Sequence, residues 1–158
     1  MKRHHHAGYT LLDVMMANAT APMAPAKYST QLIQMWDALA AIEKSPEPTR
    51  DHWRVCSDAI NLMETLHVMG HIADPDGNVP TAVQAMAEAG IRHASTGQVI
   101  RLSGPGITAV RIILEGYVQT LAHLPERTII AAHRVTEHRI RAINRGQRKA
   151  HDVQVVAL

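Results

Sequence analysis

Phenylalanine is absent from this chain of 158 residues, and the other aromatics amount to three Tyr and two Trp. A strand-rich core draws on aromatic and β-branched residues, so this scarcity argues against an all-β fold. It also argues against a single-strand nucleic-acid binder that stacks bases on aromatic rings. There is one cysteine, Cys56, so no disulfide framework within the chain and no cysteine-based zinc site is possible. Cys56 falls inside an apolar helical pattern and reads as a small buried thiol, which favours a reducing, cytoplasmic setting. No apolar run approaches the roughly 18 residues of a membrane span, so no membrane partner is expected.

What is abundant is Ala, Leu, Ile and eight Met. Ala, Leu and Met are strong helix formers, and the length suits one domain with a substantial core. The expected fold is all-α. Five helices can be placed. The first spans residues 29–44, capped by Ser29 or Thr30 and stopped by Ser45-Pro46-Glu47-Pro48. The second runs from Thr49 or Arg50 to Met69, with Trp53, Cys56, Ile60, Met63 and His67 in one stripe and Gly70 ending it. It carries the longest wide apolar face and should be the centre of the core. The third runs from Pro80 to about Ala94, after an Asp74-Pro75-Asp76-Gly77-Asn78 turn, with Val83, Ala87, Gly90, Ile91 and Ala94 inward. The fourth covers residues 107–124, and Pro125 separates it from the fifth, which Gly146 ends. Short breaks favour antiparallel neighbours, hence a bundle of about five helices. Gly97 to Leu102 and Asp152 to Leu158 are the candidates for a short two-stranded C-terminal ribbon. The expected core includes Leu32, Trp36, Leu39, Trp53, Cys56, Ile60, Met63, Ile91, Val110, Leu114, Leu121, Ile129 and Ile140.

Residues 1–28 read differently. Met1-Lys2-Arg3 followed by residues 10–21 has the outline of a signal peptide, but Asp13 and Asn18 interrupt its apolar part. Ala17 to Ala26 is Pro/Ala-rich, and a start at Met15 or Met16 is conceivable. The expectation is a flexible leader over residues 1–28 and a single helical domain over residues 29–158.

The formal charge is only +2, yet it is unevenly spread. Residues 126–149 hold six Arg and one Lys against two Glu, leaving the remainder mildly acidic. At about 100° per residue, Ile129, Ala132, Thr136, Ile140 and Ile143 fall on one side of the fifth helix. Arg127, Arg134, His138, Arg141, Arg145 and Arg148 form a stripe on the other, with Lys149 following. Guanidinium groups meet phosphate or carboxylate in bidentate geometry, so an aligned row can track a nucleic-acid backbone or an acidic protein surface. A solvated face, with Arg141 or Arg134 simply paired to Glu137, is the plainer explanation of the same pattern.

Other constellations carry less. Glu64, His67 and His71 have the Glu-x-x-His spacing of four-helix carboxylate metal sites, but Gly70 breaks the helix before His71 and no second such pair exists. His133, Glu137 and His138 could exchange a proton, but no motif places a nucleophile near them. Ser103-Gly104-Pro105-Gly106 lacks the Gly-Lys-Ser/Thr of a phosphate loop and reads as a helix-opening turn. Asp74 to Asn78 has its Gly misplaced for a calcium loop, whose twelfth position would be Ala85. No catalytic residue, metal or cofactor is expected.

Through Trp53-Arg54-Val55-Cys56-Ser57-Asp58-Ala59, Gly104-Pro105-Gly106 and the ending His151-Asp152-Val153 to Leu158, the chain resembles small helical accessory proteins of temperate phages and prophages of Gram-negative bacteria. The resemblance implies an accessory or regulatory role inside a bacterial cell and brings no activity or functional residue with it. The expectation is therefore a non-enzymatic protein that binds nucleic acid through its basic last helix. The alternative is a protein-interaction module, an inhibitor, adaptor or homo-oligomer, using the same helix and Met-rich apolar faces.

Overall fold

Helical propensity and apolar periodicity carry through to an all-α bundle in the computed structural model, which describes residues 8–146. Six helices follow in order: α1 (Leu11–Met16), α2 (Ser29–Lys44), α3 (Arg50–Val68), α4 (Asn78–Thr96), α5 (Gly104–His123) and α6 (Glu126–Asn144), with a single 3-10 turn at Pro25–Lys27. Five are those expected, and α2 has the expected bounds. None of the described helices is long and apolar enough to cross a membrane.

Local chemistry sets most of the ends. Thr49 Oγ1 accepts from His52 N at 3.3 Å while His52 Nδ1 accepts from Thr49 N at 3.0 Å, closing a reciprocal cap on α3. At its other end Gly70 takes φ +79°, so that Gly70 N reaches the His67 carbonyl and His71 N the Leu66 carbonyl. Asp74 does more than turn the chain. Its carboxylate accepts from Asn78 N and Val79 N at 2.9 and 2.8 Å, which starts α4 two residues before Pro80. Ser103 Oγ accepts from Gly106 N at 3.1 Å, so Gly104-Pro105-Gly106 is the first turn of α5 and not a loop before it. α2 has no side-chain cap; Tyr28 occupies that position in place of Ser29 or Thr30.

α3 is the central element, packed against α2, α4, α5 and α6. Residues 59–66 are buried on every side, and Trp53 Nε1 donates to the Met86 carbonyl at 2.8 Å, tying α3 to α4. α6 packs on α3 along one side and against α1 on another. Most of the expected core is buried, but four positions differ. Ile91 is 53 % exposed, because α4 turns Val79, Val83, Met86 and Gly90 inward and Ile91 lies well round the helix from that stripe. Ile140 is half-buried toward the C-terminal end of α6, and Leu32 and Trp36 are half-buried at the core edge.

The segment expected as one strand of a ribbon is an extended plug. Ile100 is buried, and the Arg101 guanidinium donates to the carbonyls of Ile42, at 2.9 Å, and Ser45, at the end of α2. The orphan carbonyls of a helix terminus take the place of a partner strand. The other ribbon candidate, residues 152–158, lies outside the described residues.

A larger difference concerns the leader. Residues 8–28 are not a free arm: they form α1 and the 3-10 turn, bury Ala17, Met23 and Tyr28, and lie along α6. The capping box in which Thr10 and Asp13 bond reciprocally starts α1, a signal readable in the sequence as Thr-x-x-Asp.

A Cβ added at Gly106 would meet the Ala85 Cβ at 2.8 Å and Ser103 Oγ at 2.9 Å, so glycine sets how closely α4 and α5 approach. Gly106→Val is expected to lower stability by about 1–3 kcal/mol through overpacking, measured by thermal or urea denaturation. Ala85→Gly in the same chain should recover part of the loss. Equal stability of Gly106→Val and the parent would overturn the close-contact assignment.

Candidate nucleic-acid interface

α6 is amphipathic, but its inner face is not purely apolar. Ile129, Ile130, Ala132, Thr136, Arg139 and Ala142 are buried. Arg139 sits three residues after Thr136, on the apolar side of the helix, away from the other arginines. It meets Glu64 of α3, its Nη2 lying 3.5 Å from Glu64 Oε2, with both side chains less than a tenth exposed. Arg139 Nη1 donates to Thr65 Oγ1 at 2.8 Å, Thr65 Oγ1 donates to the Asn61 carbonyl at 3.0 Å, and the Thr136 hydroxyl reaches Thr65 Oγ1 at 2.7 Å. A polar network thus pins α6 to α3 in one rotation. Burial pushes the Glu64 carboxyl up to about 8, against the smaller opposing pull of Arg139.

That fixed rotation decides where the outer residues point. His138 and Arg141 are exposed on the C-terminal half of α6, and Arg145, its C-cap, is exposed just past its end. Arg141 Nη2 lies 3.5 Å from Glu137 Oε2, one turn back, and stays largely solvated. An exposed pair of this kind is worth little and leaves the guanidinium open to a stronger anion. The N-terminal half of the stripe bonds to or lies beside the leader, although Arg127 itself stays exposed. Arg127 Nη2 donates to the carbonyls of Met15 and Ala17 at 3.2 and 2.9 Å. Arg134 is half-buried and close to Asp13, and the two Thr10 hydrogen bonds, with a smaller contribution from Arg134, hold the Asp13 carboxyl below its ordinary value. Arg148 and Lys149 lie outside the described residues. Of the seven residues expected to form an interface, the structure therefore groups His138, Arg141 and Arg145 on open surface, and turns Arg127 and Arg134 toward the leader.

The weaker constellations resolve differently. His67 Nδ1 lies 3.3 Å from the Ile72 carbonyl, His71 is exposed beyond Gly70, and Glu64 faces Arg139, so the Glu64-His67-His71 spacing does not assemble. Among the described residues, no three His, Cys, Asp or Glu converge on one point. His133 packs on the Tyr9 ring with centroids 5.4 Å apart, Glu137 faces Arg141 and Gly8, and His138 is exposed.

The sequence pattern could have exposed the buried pair. Glu64 stands between Met63 and Thr65 on the wide apolar face of α3, and Arg139 is the lone cation on the apolar side of α6. Opposite charges stranded on two apolar faces are a signal for an interhelical ion pair. No family model matches this chain, and no curated protein or solved structure is found to be similar to it.

The raised Glu64 value links stability to pH. Between its unfolded value near 4.5 and its folded value near 8, the folded state keeps a proton that the unfolded state has released. Stability is therefore expected to fall as pH rises through this range, and Glu64→Gln should flatten the dependence. Urea midpoints from pH 5 to 8.5 check this; parallel curves for parent and variant would overturn the protonation assignment.

Proposed function

We propose that the chain is a non-enzymatic accessory or regulatory protein that binds nucleic acid through the cationic end of its last helix. The observation that carries this reading is the exposed row His138, Arg141 and Arg145, which the sequence continues with Arg148 and Lys149. Side chains one and two turns apart on a rigid helix match a repeating phosphate backbone, and each phosphate neutralised releases counterions. The α3 network supports the reading by fixing the helix without using these groups. The resemblance to phage and prophage proteins supports a setting in the cytoplasm of a bacterial host.

A second reading is favoured by a specific observation. Leu11, Leu12, Met15 and Met16 on α1 are 60, 64, 67 and 79 % exposed, an apolar patch beside the cationic helix. Such a juxtaposition suits a protein-interaction module whose partner is an acidic, partly apolar protein surface or a second copy of the chain.

The two readings part in solution. Fluorescence anisotropy with random duplex DNA, single-stranded DNA and RNA at two salt concentrations is expected to show salt-steep binding, lost in Arg141→Glu/Arg145→Glu. Absence of binding at low salt overturns the nucleic-acid reading. A concentration-dependent dimer on a sizing column, abolished by Leu12→Glu/Met16→Glu, would then establish the second.

A further inference from the structure

Residues 8–21 run antiparallel to α6 over the N-terminal half of its basic stripe. Gly8 lies against Glu137, where an added Cβ would stand 2.7 Å from Oε2. The Tyr9 ring lies tilted against His133, their planes 49° apart. Further along, the carbonyls of Met15 and Ala17 take the Arg127 guanidinium, the Asn18 carbonyl takes Arg127 N at 3.0 Å, and the Ala21 carbonyl takes Glu126 N at 2.9 Å. Beyond Ala21 the chain is anchored by buried Met23 and Tyr28 and by the Lys27–Glu126 ion pair at 2.5 Å.

The segment ahead of that anchor is held lightly. α1 contains no buried residue, Val14 is half-buried, and Ala17 is the one fully buried side chain between Gly8 and Ala21. Beneath it a cleft of about 280 Å³ remains, lined by Tyr9, Asp13, Ala17, Met23, Glu126 and Ile130 among others. Segments with few buried apolar contacts open at small free-energy cost. Moreover, the bonds that hold Arg127 go to neutral carbonyls, and a guanidinium bonds a phosphate more strongly than a carbonyl. A polyanion reaching α6 competes for Arg127 on favourable terms.

We propose that residues 8–21 form a displaceable strap over the anion-binding face of α6: closed, it occupies Arg127 and shades Arg134; lifted about the Met23–Tyr28 anchor, it extends the cationic row to the full length of the helix. The inference rests on the nucleic-acid reading of α6. It makes the leader an internal competitor for phosphate, and it explains why polar backbone groups of the leader are matched to an arginine instead of to water.

The test compares the full-length chain with Val14→Asn/Ala17→Gln, a charge-neutral pair of changes in the strap that leaves α6 untouched. Phenylglyoxal labelling read by mass spectrometry reports access to Arg127 and Arg134, with Arg145 as the exposed reference. Duplex DNA binding is measured alongside at several salt concentrations. The variant is expected to label severalfold faster at Arg127 and Arg134 but not at Arg145, and its logarithmic salt slope should steepen by about two, one per arginine freed. If the parent binds DNA and the variant binds with the same affinity and slope, the strap is overturned and the α6 reading stands. Unchanged labelling of a folded variant also overturns it. If neither protein binds DNA, the α6 reading falls and the strap's role falls with it. Arg127→Gln in the released background should return the slope halfway, which a general loosening of the fold would not do.

Discussion

Everything exposed on α6 depends on what is buried beneath it. The Glu64–Arg139 pair with Thr65 and Thr136 is the polar network of the α3–α6 interface, and it fixes which side of the last helix faces water. Apolar side chains alone would tolerate sliding and small rotations of one helix over another. A directional hydrogen-bonded group does not. Taking a carboxyl and a guanidinium out of water costs several kcal/mol per charge before any return, so the pair is a weak source of net stability. Its contribution is better understood as orientation, and part of the desolvation cost is avoided because Glu64 holds its proton up to about pH 8.

This division of labour explains why the same helix reads clearly in one respect and poorly in another. Helical periodicity is local, so the two faces of α6, the five long helices and the central place of α3 are visible in residue spacing. So are the caps at Thr49 and Ser103 and the stop at Gly70, because each acts within a few residues. Ile91 shows the limit of the same logic. It fits an apolar stripe on α4, but the stripe that faces α3 and α5 is offset from it, and only the packing partners select between the two.

The docking of the leader on α6 is illegible for a different reason. The leader's Pro/Ala-rich composition lacks the apolar density of a core segment, and the bonds that order it come from residues more than a hundred positions away. Arg127 is the clearest case. Spacing places it correctly on the outer face of α6, yet a guanidinium at the beginning of an edge helix meets whatever chain passes beside it. Here that chain presents backbone carbonyls. The expected row of cations was sound as helix geometry and incomplete as surface chemistry, because nothing local reveals which face a distant segment covers.

The two halves of α6 thus stand in different chemical states. Toward the C-terminus the cations face solvent, and the half-buried Glu137 is a weak partner for the largely solvated Arg141 that salt and competing anions readily displace. Toward the N-terminus Arg127 is bound by aligned carbonyls on a segment that buries little of its own surface. A ligand recruited by the open half brings further anions close to the covered half at high effective concentration. Competition there is no longer between a free polyanion and the leader but between an anchored one and the leader. That ordering, unengaged cations first and leader-bound cations second, follows from where the leader lies and does not require α6 itself to move.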